Sequence, residues 1–173
     1  RKVKVISPEV DTRAKGDYIE SRNGLWLDAI KVKHAIQIMS VVKPEDEVIA
    51  IDELQFFDKN IVKVISKLMD EGKKIIGTGL ELDFKAEPFG SMPELMCIAT
   101  EVHKLHAVCM KCGCENATRT QRLIDGKPAD KHSPLIMIGG DETYEARCIK
   151  CYELPDRELE KKKRGFKLLS FEH

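Results

Sequence analysis

Apolar and polar residues alternate from Lys2 to Ser7 with period two, which predicts a β-strand. A second strand is predicted over Glu47 to Asp52, a β-branched run that delivers two neighbouring carboxylates, Asp52 and Glu53; Lys74 to Gly79 is the third. Between the last two, Asp58 to Glu71 sets Ile61, Val64, Ile65, Leu68 and Met69 on one helical face, with Asp58 as N-cap and Gly72 as the C-terminal stop. These three segments make one βαβ unit. Leu25 to Val42 places Leu25, Ala29, Ile30, Val32, Ile36 and Met39 roughly on one side and predicts another helix, ahead of Pro44. The fold class that follows is α/β, a parallel sheet flanked by helices, with ligands bound beyond the carboxyl ends of its strands. Asp52 and Glu53 fall at such an end.

Beyond Gly79 the pattern changes. A loop runs through Pro88, Phe89 and Gly90, a short helix is predicted over Pro93 to Thr100, and Val102 to Val108 reads as a strand leading into a group of cysteines. The expected organisation is an α/β core over residues 1–106, a small zinc-binding subdomain over 107–152 and a charged tail over 153–173. In the tail, Arg157 to Arg164 reads as a solvated helix, with Phe166, Leu168, Leu169 and Phe171 available to dock on a neighbouring surface.

A length of 173 residues can bury a sizeable core without disulfides. Lys+Arg and Asp+Glu each total 29, so no basic footprint points to nucleic acid. No apolar run approaches the ~18 residues of a membrane span, and the opening residues form a strand rather than a signal peptide. Five of the six cysteines gather around Cys109-Met-Lys-Cys112 and Cys148-Ile-Lys-Cys151. Each C-x-x-C can put two thiolates on one side of a tight turn, and Cys109, Cys112, Cys148 and Cys151 together close a tetrahedron about zinc. Cys114 offers a third thiol beside the first pair, and its part in the site stays open; Cys97, in an apolar helical pattern, reads as a small packed side chain. An all-thiolate site leaves no open coordination position, so the metal is structural and the chemistry lies elsewhere. His34, His103, His106 and His132 have no second ligand at a telling spacing and read as structural.

Val48-Ile-Ala-Ile-Asp52-Glu53 has the form of a strand that presents a carboxylate to a magnesium ion, with the next carboxylate placed to take a proton from a hydroxyl. The residues around it extend the pattern: Asp52-Glu53-Leu54-Gln55-Phe56-Phe57, preceded by Asp11-Thr12-Arg13. Gly79-Leu80-Glu81-Leu82-Asp83-Phe84, Glu87-Pro88-Phe89-Gly90, Ala107-Val108-Cys109-Met110-Lys111-Cys112 and the run from Ile138 to Cys148 follow in order. In these blocks the chain strongly resembles the zinc-containing, cellular-type thymidine kinases, over essentially Val3 to Cys151.

The resemblance implies a P-loop NTPase-like core with a lasso loop on the zinc subdomain, and transfer of the ATP γ-phosphoryl group to the 5′-hydroxyl of thymidine or deoxyuridine. It implies Glu53 as general base, Asp52 as a magnesium ligand through water, Leu54 and Gln55 beside the magnesium–ATP site, and Arg13 near the phosphates. Phe56, Leu80, Phe84 and Phe89 would surround the nucleoside. The lasso residues Ile136, Met137, Ile138 and Gly139 would bond the thymine edge through their backbone, Tyr144 would contact the sugar, and Thr120 would face the thymine methyl. The resemblance further implies a cytoplasmic homotetramer in nucleotide salvage, inhibited by thymidine triphosphate, and no nucleic-acid or membrane partner. Such an enzyme also needs G-x-x-x-x-G-K-[ST] to wrap the phosphates, and neither Gly72-Lys73 nor Gly126-Lys127 fits that motif. The expectation is that an N-terminal segment bearing this loop is missing from the sequence, and that the chain as written is inactive without it.

Overall fold

The computed structural model describes residues 2–10, 18–20, 24–135 and 142–155. The chain divides into two compact units. One comprises Arg1–Glu81 with Pro88–His103, and the other Leu82–Glu87 with the chain from Lys104.

The first unit is built on the strands β1 (Val3–Pro8), β4 (Ile30–Val32), β5 (Val48–Ile51) and β6 (Lys74–Gly77), in the order β4-β1-β5-β6. All neighbours run parallel, with Ile6 opposite both Ile30 and Ile51, and Ile51 opposite Gly77. Strands β2 (Tyr18–Glu20) and β3 (Trp26–Asp28) form a separate antiparallel pair. The helices are α1 (Ile38–Val41), α2 (Asn60–Asp70) and α3 (Met92–Ile98). The core joins Ile6, Ile49 and Ile51 of the sheet to Ile38, Ile61 and Leu68 of the helices, all essentially without exposure. The apolar stripe of α2 is what closes this core, as its spacing predicts.

Helix α2 is held at both ends by local chemistry. An Asp58 carboxylate oxygen accepts the Asn60 N–H at 3.0 Å, while its other oxygen accepts the Ala35 N–H at 3.1 Å, so one side chain caps two elements. At the far end Gly72 sits at φ +79°, the Gly72 N–H bonds Met69 O at 2.9 Å and the Lys73 N–H bonds Leu68 O at 3.0 Å. That is a Schellman ending, which needs a left-handed residue where this glycine stands.

The helix expected over Leu25 to Val42 is instead β3, β4, a 3-10 turn at Ala35–Gln37 and α1. Buried Ala29, Val32, Ala35 and Ile38 recur every three residues and mimic a helical stripe, although the link between β3 and β4, then a strand, a turn and a helix contribute them in succession. Leu25, Trp26 and Leu27 are exposed. The β-branched Ile30 and Val32 join the ladder beside β1, and Gln37 Oε1 accepts the Lys33 and His34 N–H groups at 2.9 Å each, which starts helical structure afresh.

The second unit carries β7 (Arg119–Ile124), β8 (Lys127–Pro128) and β9 (Glu142–Arg147), an antiparallel sheet in the order β8-β7-β9. Asp125 and Gly126, at φ +50° and +73°, make the two-residue turn between β7 and β8. Val102 to Val108 is not the expected strand: only Ala107 is bridged, to Ala117, and Leu105 stands 91% exposed. With no partner strand and no buried face, alternation there has nothing to pair with. The expected tail helix from Arg157 lies outside the described residues. Among the described residues no helix is long and apolar enough to cross a membrane.

Candidate functional site

Strand β5 ends at Ile51, and the sheet continues to hold the residue after it: the Asp52 N–H donates to Ile6 O at 2.9 Å. The Asp52 carboxylate accepts the Glu53 N–H at 3.0 Å and the hydroxyl of Thr78. Thr78 is itself fixed, its N–H to Ile51 O at 3.0 Å and its carbonyl to the Leu54 N–H at 2.9 Å. Both carboxylates are half-buried at the carboxyl end of a parallel sheet, where a divalent cation or a reacting hydroxyl could reach them.

Glu53 has φ 50° and ψ 48°, the left-handed region, which costs a non-glycine residue about 1 kcal/mol. That conformation turns the chain sharply from the strand into the 3-10 turn Leu54–Phe56. Leu54 packs its side chain into the core rather than offering a ligand atom. Gln55 is buried, its amide nitrogen donating to the Glu53 carboxylate and its amide oxygen accepting the Leu80 N–H at 3.1 Å. It therefore orients the carboxylate that could act as a base.

Three glycines close around this turn. A Cβ on Gly77 would lie 2.3 Å from Leu54 Cδ1, one on Gly79 2.6 Å from Gln55 Oε1, and one on Gly90, at φ +54°, 2.4 Å from the Gln55 carbonyl oxygen. Gly90 thus lets backbone approach the Glu53 turn more closely than a side chain allows, and Gly79 leaves room for the Gln55 amide. Phe56 and Phe89 meet edge to face, ring centroids 5.5 Å apart, and Leu80, whose N–H bonds Gln55, has an exposed side chain.

In the second unit Phe84 is buried in the short loop Leu82–Glu87. Asp83 folds that loop by accepting the Lys85 and Glu87 N–H groups at 2.8 and 3.0 Å, and the Tyr152 hydroxyl donates to Phe84 O at 2.5 Å. Strand β7 buries three residues in succession, Gln121, Arg122 and Leu123. Arg122 has its guanidinium 4.9 Å from the centre of the Phe84 ring and 5.9 Å from that of Tyr144, the residue paired with it on β9. Thr120, two residues before Arg122, lies on the same face of the sheet, and Tyr144 is half exposed. Arg13 and the lasso residues Ile136, Met137, Ile138 and Gly139 lie outside the described residues.

The sulfurs of Cys109, Cys112, Cys148 and Cys151 all lie within 4.8 Å of one another. Zinc–sulfur bonds of about 2.3 Å at tetrahedral angles put sulfurs about 3.8 Å apart, and Cys112 Sγ and Cys148 Sγ are 3.8 Å apart. The set fits a zinc ion. Its electrostatics agree: the Cys148 N–H first, then those of Cys112 and Lys111, bring the Cys109 thiol down to about 6 against the effect of burial. Cys151 is pushed up to about 12, first by hydrogen bonding with Cys112 and then by burial and its other sulfur neighbours. Four close thiols cannot all ionise alone, and a dication removes that conflict. Cys114 packs against the cluster, and its carbonyl accepts the Cys109 N–H at 2.8 Å. The knuckle is tied onward through Gln121, whose amide exchanges two hydrogen bonds with the Glu153 backbone at 2.8 and 2.9 Å.

Thr78, Arg122 and Tyr152 were not singled out by the sequence. Thr78 had a signal, since the residue directly after β6, like Asp52 directly after β5, falls at the carboxyl end of neighbouring parallel strands; the other two are placed by tertiary packing alone. A family model described as thymidine kinase matches residues 1–152.

Proposed function

This chain belongs to the thymidine kinase family, and from that premise we propose that its carboxylate turn and its aromatic, zinc-braced unit serve 5′-phosphorylation of thymidine, and of deoxyuridine, by ATP. The observation that carries the reading is the construction of the Glu53 turn. A strained residue, a buried glutamine and a glycine, Gly90, packed directly on the turn's backbone serve to aim one carboxylate. Strain of that kind persists where the surroundings over-determine it, which is the habit of reactive sites.

In this reading Glu53 takes the proton of the attacking 5′-hydroxyl, and Asp52, whose oxygen Thr78 and the Glu53 N–H fix, would hold the magnesium ion through water. Magnesium bound with ATP supplies charge neutralisation to the transferring phosphoryl group. Gln55 and Leu54 act by holding the turn, Arg13 by its fixed charge near the phosphates. Phe56, Leu80, Phe84, Phe89 and Thr120 form the nucleoside's surroundings, Tyr144 bonds the sugar, and the backbone of Ile136 to Gly139 reads the thymine edge. Zinc on the four cysteines fixes the base of the segment that carries Tyr144. The family reading adds a P-loop NTPase-like core, a cytoplasmic homotetramer and inhibition by thymidine triphosphate.

The 173 residues contain no G-x-x-x-x-G-K-[ST], so the reading expects nucleoside binding to outlast catalysis in this chain. Thymidine binding measured beside ATP-dependent formation of thymidine monophosphate tests it. Binding with negligible turnover is expected. Turnover at ordinary kinase rates would show that other residues wrap the phosphates, and absence of thymidine binding would remove the nucleoside assignment.

A further inference from the structure

We propose that Arg122 is a positioning residue of the nucleoside pocket, a single buried guanidinium that sets Phe84, Tyr144 and the foot of the segment after Leu135. The inference rests on the nucleoside reading above for its function, and on the second unit alone for its geometry.

A fully buried arginine is uncommon, because taking its charge out of water is costly unless specific partners compensate. Here the uses are specific. Arg122 is 0% exposed. Its guanidinium lies over the rings of Phe84 and Tyr144, and Nη1 donates to the carbonyl of Pro134 at 2.6 Å. Those three neighbours come from three stretches of chain, namely the loop Leu82–Glu87, strand β9, and the residues that lead into Ile136. Each is a piece that the nucleoside reading assigns to substrate contact or to the approach to it.

The flatness of the group matters as much as its charge. A guanidinium can lie against aromatic faces while its edge N–H groups point outward to carbonyls, whereas an ammonium is a point charge without a plane. Arg122 is also fixed by its own backbone, since its carbonyl accepts the Ala129 N–H at 3.0 Å and it pairs with Tyr144 across the ladder. The Phe84 loop receives a second anchor from Tyr152, which follows the zinc ligand Cys151 directly. The aromatic layer is therefore tied to the β7–β9 sheet through Arg122 and to the cysteine knuckle through Tyr152.

The test uses the whole zinc-loaded chain labelled with 3-fluorotyrosine, which has three tyrosines. Tyr144 reports on one neighbour of Arg122, Tyr152 reports on the Phe84 carbonyl, and Tyr18, in the first unit, serves as the internal reference. Lines are assigned by single Tyr→Phe changes. In Arg122→Met and Arg122→Lys, zinc content is expected to stay complete, the Tyr144 and Tyr152 fluorine lines to move, and the Tyr18 line to stay. Thymidine affinity should fall roughly tenfold in Arg122→Met and by less in Arg122→Lys, the scale expected when a desolvated cation–ring contact is lost. In a Tyr144→Ala background the same Arg122→Met change should cost less affinity than it does in the parent chain, because part of its effect passes through that neighbour. Should Arg122→Met fail to fold, Arg122→Lys alone decides. Unmoved Tyr144 and Tyr152 lines, or affinity losses that simply add, would overturn the proposal. Failure of the unmodified chain to bind thymidine would instead overturn the nucleoside reading, with the fluorine lines still deciding whether Arg122 positions its neighbours.

Discussion

Gly90→Ala should unfold the first unit at a distinctly lower temperature than Gly72→Ala, although both glycines are left-handed. Gly72, at φ +79°, ends helix α2 with nothing within 4 Å of where a Cβ would stand. Alanine there meets only the backbone cost of the left-handed region, about 1 kcal/mol. Gly90, at φ +54°, would place its Cβ 2.4 Å from the Gln55 carbonyl oxygen and 3.3 Å from the carbonyl carbon. Those are backbone atoms of the turn that carries Glu53, so no rotamer change relieves the contact. Forcing extra atoms into a packed site costs about 1–3 kcal/mol, which with the backbone cost makes about 2–4 kcal/mol. For a chain of this size 1 kcal/mol moves the melting midpoint by about 2–4 °C. The two variants should therefore fall by about 2–4 °C and about 5–15 °C, followed by circular dichroism at 222 nm with zinc present throughout. If Gly90→Ala melts no lower than Gly72→Ala, the close approach at Gln55 does not constrain the turn and the account of how Glu53 is aimed is wrong.

Replacing Asp58 by Ala removes caps from two elements at once and should cost about 1–2 kcal/mol at neutral pH. Burial raises the Asp58 carboxyl, yet the Ala35 and Asn60 N–H groups outweigh it and hold it below its ordinary 3.8. Its stabilisation is thus complete above that value and fades as pH falls through the lower folded one, so the gap between Asp58→Ala and the parent chain should narrow under acid; a gap that stays constant to pH 2 refutes the assignment. Thr78→Val takes a hydroxyl from the Asp52 carboxylate and should weaken manganese binding, used as a magnesium probe by paramagnetic relaxation, several-fold at a stability cost of about 1 kcal/mol; unchanged affinity argues against Asp52 as the ion's anchor. Zinc should leave on chelation with loss of structure confined to the second unit, seen as amide exchange rising in β7 and β9 while β5 and α2 stay protected; uniform protection in both units would contradict a structural metal.

Much of the first unit was legible because its signals are local. The α2 stripe, the Asp58 cap, the Gly72 stop and the apolar strand ending at Asp52 each declare themselves within a dozen residues. Leu25 to Val42 failed because buried positions contributed by a strand, a turn and a helix fell at a three-residue spacing that periodicity cannot tell from one helix. Val102 to Val108 failed in the opposite way, since alternation predicts a strand only where another strand waits to pair. Asp125-Gly126 is a hairpin signal legible in the sequence, since both positions favour the left-handed turn that joins β7 to β8. The cysteine set was fixed by its spacing, whereas Arg122 gave no sign, because a charged residue in a polar-looking stretch is exposed far more often than sandwiched between rings. Gly79 and Gly90 stand inside the family motifs, but the reason for them is tertiary: the Gln55 side-chain oxygen lies against Gly79 and the Gln55 backbone against Gly90.

The central claim is that these residues recognise thymidine, and isothermal titration of the zinc-loaded chain with thymidine, deoxyuridine and deoxycytidine tests it most directly. One thymidine per chain should bind, deoxyuridine should compete for the same site, and deoxycytidine, whose ring edge reverses the donor and acceptor pattern, should give no saturable heat. Equal binding of deoxycytidine, or no binding of thymidine to a fully zinc-loaded chain, would contradict the account.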